Sequence, residues 1–298
     1  MNIGELINGH SGALFSEAEN DHLLETNLLQ DQPFIAESAI EVRTPTFLWG
    51  AERAMFGDIL PPIVQGHKDC VSVAWAQACH DWLMQRSANP VRRVSSEVLY
   101  GGARCQVGKN KLQVPGCYAS WAAMFVTLYG GMLRQKVESF DLTNYNKDLV
   151  LQFENAGVPM GLLQSSVKQL YELANPAVTF EPKVGKLKTG ENAWSAIGQR
   201  NSLPFSCRRG FQLARGPEGI CQPLGEWNHS MVIRGRCITK SGTHCFAVQN
   251  SVGDYLGELN RTVELQDGST IKLPSSVFLI TLEVFSEICE HEDVFVVF

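Results

Sequence analysis

Four residues have the types and spacing that nucleophilic acyl transfer requires: Gln65, Cys70, His229 and Asn250. Cys70 closes a polar loop, Val64-Gln65-Gly66-His67-Lys68-Asp69, and opens a run to Gln85 that has helical apolar spacing and neither Pro nor Gly. A cysteine at a helix N-terminus meets unpaired N–H groups and the positive end of the macrodipole. Both favour the thiolate, the form that attacks. Gln65, upstream on the same loop, can aim its amide N–H at a developing oxyanion. Set against this, free cysteine most often fills a core.

The second half of such a site would come from a hairpin. Trp227 to Ile233 reads as a strand, Thr239 to Gly242 as the turn, and Thr243 to Gln249 as the return strand. With the turn centred between Lys240 and Ser241, His229 falls opposite about residue 252, within reach of Asn250. An imidazole held by an amide oxygen is a base of fixed orientation. The bland alternative is a histidine at a strand end and an asparagine in a turn, each with a local role. His80 lies on the helix of Cys70 but about 15 Å along it, so it is not the partner. His67 is expected to line the cleft, and His244, near the hairpin tip, to lie on the surface.

The elements that must position these residues follow in order. Residues 1–42 are polar and weakly periodic, an arm or lid with a possible helix from Glu17 to Leu29. Thr44 to Gly50 can form a short strand, and Asp58 to Pro62 an extended lead-in. The helix after Cys70 places Val71, Ala74, Trp75, Ala78 and Trp82 on one stripe. Ser95-Ser96-Glu97 opens a short helix that Gly101-Gly102 should end. Pro115-Gly116-Cys117 introduces a helix from Tyr118 to Tyr129, stopped by Gly130-Gly131. Lys147 to Leu173 is helical with a break near Gly157-Val158-Pro159. Val178 to Leu187 reads as extended, Glu191 to Arg200 as helix, Leu203 to Cys207 as strand and Arg209 to Leu224 as loop. The expected class is α+β: an arm (1–42), a helical part with the nucleophile (43–177) and a β-rich part with the His/Asn pair (178–298).

Composition narrows the function classes. The chain has 298 residues, ample for a large core, with 44% hydrophobic and 19% charged residues. A net charge of −6 argues against a nucleic-acid surface. No apolar run approaches a membrane span, and Met1 to Phe15 lacks the basic and apolar regions of a signal peptide. Nine cysteines without such a signal suggest reduced thiols in a cytoplasm, or in a virion if the chain is phage-encoded. They contain no paired C-x-x-C, so neither zinc nor any other metal or cofactor is expected.

In chain order, these residues resemble the papain family of cysteine peptidases. Gln65-Gly66 with Cys70 is similar to its oxyanion glutamine and nucleophile, and Ser96-Glu97-Val98-Leu99 to its serine-glutamate helix. Gly116-Cys117-Tyr118-Ala119-Ser120-Trp121 resembles its glycine-rich turn and following helix. Ala193 to Cys207, then Gly210-Phe211, resembles the helix and strand before its histidine. Asn228-His229-Ser230 and Gln249-Asn250-Ser251-Val252-Gly253, with Gly257-Glu258 beyond, resemble its histidine and asparagine motifs. The likeness spans residues 59 to 260. It implies a helical left lobe, a β-barrel-like right lobe and a cleft between them. It also implies a peptide or protein substrate, with Cys70 attacking, His229 moving the proton, Asn250 orienting it and Gln65 binding the oxyanion.

Three departures stand out. Val71 replaces the tryptophan that follows the nucleophile, the Gln65-to-Cys70 spacing is one residue short, and Val252 replaces the tryptophan shielding the asparagine. Were Cys70 the first cysteine of a C-x-x-C pattern, the nucleophile position would fall on Val73, which the helix phase disfavours. Leu273 to Phe278 and the tail resemble phage-encoded papain-fold proteins. Two further classes therefore stay open: an inactive papain-fold part of a virion or assembly, and an amide hydrolase of peptidoglycan stem peptides.

Overall fold

A computed structural model describes residues 12–16, 44–87, 89–166, 183–212, 214–251, 260–274 and 276–298. The expected helix from Glu17 to Leu29, the boundaries at 42 and 177, and Val252 with Gly257-Glu258 lie outside these residues.

The chain begins with β1 (Ala13–Leu14) and β2 (Thr46–Phe47), then α1 (Trp49–Phe56) and α2 (Cys70–Arg86). The short strand expected over Thr44 to Gly50 is therefore cut off by a helix from Trp49. Next come α3 (Ser96–Gly101), a π-helical turn (Gly102–Val107), β3 (Cys117–Tyr118) and α4 (Ala119–Tyr129). Then follow β4 (Lys136–Val137), β5 (Phe140–Asp141) and α5 (Lys147–Ala156). The remainder runs β6 (Val184–Lys186), α6 (Gly190–Gly198), β7 (Leu203–Phe211), β8 (Pro223–Ile238), β9 (His244–Gln249), β10 (Asn260–Glu264), β11 (Thr270–Pro274), β12 (Val277–Thr281), α7 (Leu282–His291) and β13 (Asp293–Val297).

Gly101 and Gly102 do not end α3; the chain runs on into the π-helical turn. Their role is packing. A Cβ on Gly102 would overlap the Phe125 ring, and one on Gly101 the Phe153 side chain. The loop expected from Arg209 to Leu224 is shorter, because β7 extends to Phe211 and β8 starts at Pro223.

Helix α2 is buried from Cys70 to Met84 on every face, rather than along one stripe. A helix enclosed all round belongs to the core, and Trp75 reaches β13 with its ring 5.5 Å from Phe295. The main sheet has seven strands in the order β12-β9-β8-β7-β13-β6, with β2 also on β8. Among the described residues β12 and β6 do not pair, so the sheet is open and the expected barrel-like closure is absent. Strand β8 pairs antiparallel with β9, Val232 against Gln249, which is the register that the turn position implied. A bulge between Ile233 and Gly235 accommodates Phe47, whose ring a Cβ on Gly235 would crowd at 2.5 Å.

Candidate active site

Cys70 is the first residue of α2 and fully buried. Val73 sits inside the helix, its N–H on the Asp69 carbonyl at 3.1 Å, whereas Cys70 opens it. The thiolate expected from the helix terminus does not form in this arrangement. Burial pushes the Cys70 thiol up to about 11 and the Asp69 carboxyl adds to the rise, although N–H groups of Ser230, Gly12 and Val71 pull it down. Loss of water disfavours the charged form more than the helix end supports it.

His229 is buried on β8, and its Nε2 lies 2.8 Å from Asn250 Oδ1. The same oxygen accepts the Ser251 N–H at 2.7 Å, which assigns it as the amide carbonyl. A carbonyl oxygen only accepts, so Nε2 carries hydrogen and Nδ1 is the basic nitrogen. The residue after His229 is Ser230, whose backbone N–H points at the Cys70 sulfur. The tertiary structure thus brings Cys70 beside the His229–Asn250 pair.

Gln65 joins them. Its N–H donates to the Ser251 carbonyl at 3.1 Å, its Oε1 accepts from Ser251 Oγ, and its Nε2 donates to the His67 carbonyl at 2.9 Å. The loop before Cys70 is therefore pinned to the segment that carries Asn250. All four predicted site residues come together. His80 does not join them: it is buried on α2 with Nε2 3.3 Å from Glu52 Oε1. His244 is half-buried, its ring 5.2 Å from Trp194.

Several participants escaped sequence reasoning. Trp227 lies edge-on to His229 at 6.3 Å, covering it from the same strand. Alternation at period two could have revealed that pairing, since residues two apart share a strand face. Asp69 is fully buried, and burial pushes its carboxyl up to about 7, although the nearby Tyr145 hydroxyl opposes the rise. The Tyr145 hydroxyl also accepts the Gly66 N–H at 2.8 Å.

The N-terminal strand is the least expected neighbour. β1 pairs parallel with β3, Ala13 with Cys117 and Leu14 with Tyr118, and Gly12 accepts the Cys117 N–H at 2.9 Å. Gly12 lies between Cys70 and the loop, where a Cβ would overlap the Lys68 carbonyl. Gly116 has φ +123, and a Cβ on it would sit 2.5 Å from the Gly12 oxygen. Phe15 continues under Arg208, whose guanidinium lies 4.5 Å from the ring centroid. Gly12 thus abuts Cys70, and Ala13 and Leu14 run beside β3.

All nine cysteines are unpaired thiols. Among the described residues no group of three or more His, Cys, Asp or Glu could hold a metal ion, and no helix is long and apolar enough to cross a membrane.

No protein-family model matches the chain, and no curated protein matches it. Solved structures do. Xylellain, a cysteine protease from Xylella fastidiosa, superposes with a TM-score of 0.56 at 14% identity, over 97% of this chain and 96% of that one. The ragweed pollen cysteine protease Amb a 11 in its proform gives 0.55 at 13% identity, over 99% of this chain and 77% of that one. Recombinant stem bromelain precursor gives 0.53 at 11% identity, over 99% and 79%. The structural neighbours are thus papain-like cysteine proteases, and the chain shares their fold. The phage resemblance of Leu273 to Phe278 finds no support among them.

Proposed function

We propose that the chain is a cysteine peptidase of papain-like mechanism, held latent by its N-terminal segment. The observation that carries this reading is the His229 Nε2–Asn250 Oδ1 bond beside the sulfur of a helix-opening cysteine. With hydrogen fixed on Nε2, His229 Nδ1 takes the proton from Cys70, and the thiolate attacks the peptide carbonyl carbon. The oxyanion binds the Cys70 N–H and a Gln65 Nε2 hydrogen. His229 then protonates the departing amine, and water hydrolyses the thioester by the reverse proton path. Gly12 must leave first, because it occupies the space over the sulfur. Two of the similar structures are a proform and a precursor, which supports that order of events.

A second reading, a papain-fold protein that has kept the shape without turnover, draws on the thiol held at about 11 beneath Gly12. One experiment separates the readings. Protein freed of residues 1–42 is incubated with a denatured protein, a peptide library and peptidoglycan stem peptides. The peptidase reading expects cleavage of peptides that Cys70→Ser abolishes and His229→Ala reduces by about 10²-fold or more. Turnover confined to stem peptides points to the amide-hydrolase class. No Cys70-dependent turnover at all sinks the peptidase reading.

A further inference from the structure

We propose that His67 is a positioning residue that ties the loop carrying Gln65 and Cys70 to the cleft strand β3 through Glu154 and Tyr100; this rests on the peptidase reading above. His67 serves the site twice. Its backbone carbonyl accepts the Gln65 Nε2 hydrogen at 2.9 Å, which fixes the aim of the amide that would bind an oxyanion. Its imidazole Nε2 lies 3.2 Å from Glu154 Oε2. Facing a carboxylate oxygen, the imidazole N–H donates.

Glu154, on α5, passes the link onward. Its other oxygen accepts the Tyr100 hydroxyl at 2.7 Å, and that hydroxyl accepts the Gly116 N–H at 3.0 Å. Gly116 leads into β3, whose Cys117 N–H binds the Gly12 carbonyl. Arg104 braces the frame: Nη2 lies 3.6 Å from Glu154 Oε1, and Nη1 donates to the carbonyls of Val114, at 2.8 Å, and Gly116. One carboxylate, 8% exposed, therefore holds the nucleophile loop on one side and the cleft strand on the other. Charge-assisted bonds of low exposure are the strong ones, and a carboxylate shared by two hydrogen bonds and an ion pair holds all three partners in place. The tether is wholly non-covalent, since every cysteine is a free thiol.

Loss of the ring frees the His67 peptide to turn and takes with it the carbonyl that aims Gln65. Oxyanion binding is strongest in the transition state, so the loss falls on kcat. His67→Ala is expected to lower kcat about tenfold or more with KM within about twofold, below the 10²–10³-fold loss of an entire oxyanion donor. His67→Gln, whose amide can donate to Glu154, is expected to restore most of it. In a Gln65→Ala background, His67→Ala should add little. An unchanged kcat, failure of rescue by Gln, or a full additional loss in that background overturns the proposal.

Amide hydrogen exchange tests the tether without turnover. His67→Ala should speed exchange in residues 64–70 and 114–118 together, and His67→Gln in neither. A rise confined to residues 64–70, or none, overturns the tether. If wild type cleaves nothing while both segments loosen together, the peptidase reading fails and the tether stands.

Discussion

Asp69 carries a carboxyl far from its ordinary range in the site. Burial pushes its carboxyl from 3.8 to about 7, so the folded protein keeps a proton there that the unfolded chain has lost. The sign follows. Stability from this group is fully present below the unfolded value and is lost as pH rises through about 7. A shift of this size corresponds to at most about 4 kcal/mol. Urea denaturation at pH 5 and pH 8 should show the wild type losing more stability than Asp69→Asn over that interval. Parallel curves would remove Asp69 as the cause. The same charge raises the neighbouring thiol, so Asp69→Asn should also speed alkylation of Cys70 at pH 8.

Among the elements, α1, α2, β8 and β9 meet on one buried guanidinium. Arg234 donates to Asp81 through Nε and Nη2, to Glu52 through Nη2 at 2.9 Å and to Gln249 through Nη1. Burial opposes ionisation of Glu52, yet Arg234 and His80 together hold its carboxyl down at about 2. Gln249 immediately precedes Asn250, so this network sets where the end of β9 delivers the asparagine. Arg234→Met leaves two buried carboxylates without their cation, and the expected loss is about 3–5 kcal/mol in urea denaturation. A loss under about 1 kcal/mol would mean that water, or Arg93, whose charge also lowers the Glu52 carboxyl, replaces the guanidinium at little cost.

At the scale of the whole molecule, the proposed latency makes the N-terminal strand the control on access to the site. Gly12 has no room for a side chain against the Lys68 carbonyl. Gly12→Val should therefore displace residues 12–15 and expose the sulfur. The measurement is the rate of iodoacetamide labelling at Cys70 in the full chain at pH 8, with peptide mapping. Wild type should label slowly, and Gly12→Val at least about tenfold faster, because an exposed thiol titrates near 8.5 rather than at the buried value. Equal rates would mean that the segment does not control access.

Much of the site was legible in the sequence because its signals are local. The helix start at Cys70 follows from the loop-to-periodic transition, and the turn at Thr239 to Gly242 sets the β8–β9 register that lets His229 meet Asn250. Gln65 belongs to the loop that leads into Cys70. Four matters needed the tertiary structure: the burial of the Cys70 thiol, the packing of Gly12 against it, the hold of Glu154 on His67, and the open edge of the sheet. Each depends on groups far apart along the chain, as with His67 and Glu154, 87 residues apart, or Arg234 and Glu52, 182 apart. Periodicity and turn chemistry report only a residue's near neighbours. Burial and long-range pairing, which raise the Cys70 thiol and seat Gly12 against it, arise when separate elements exclude water together.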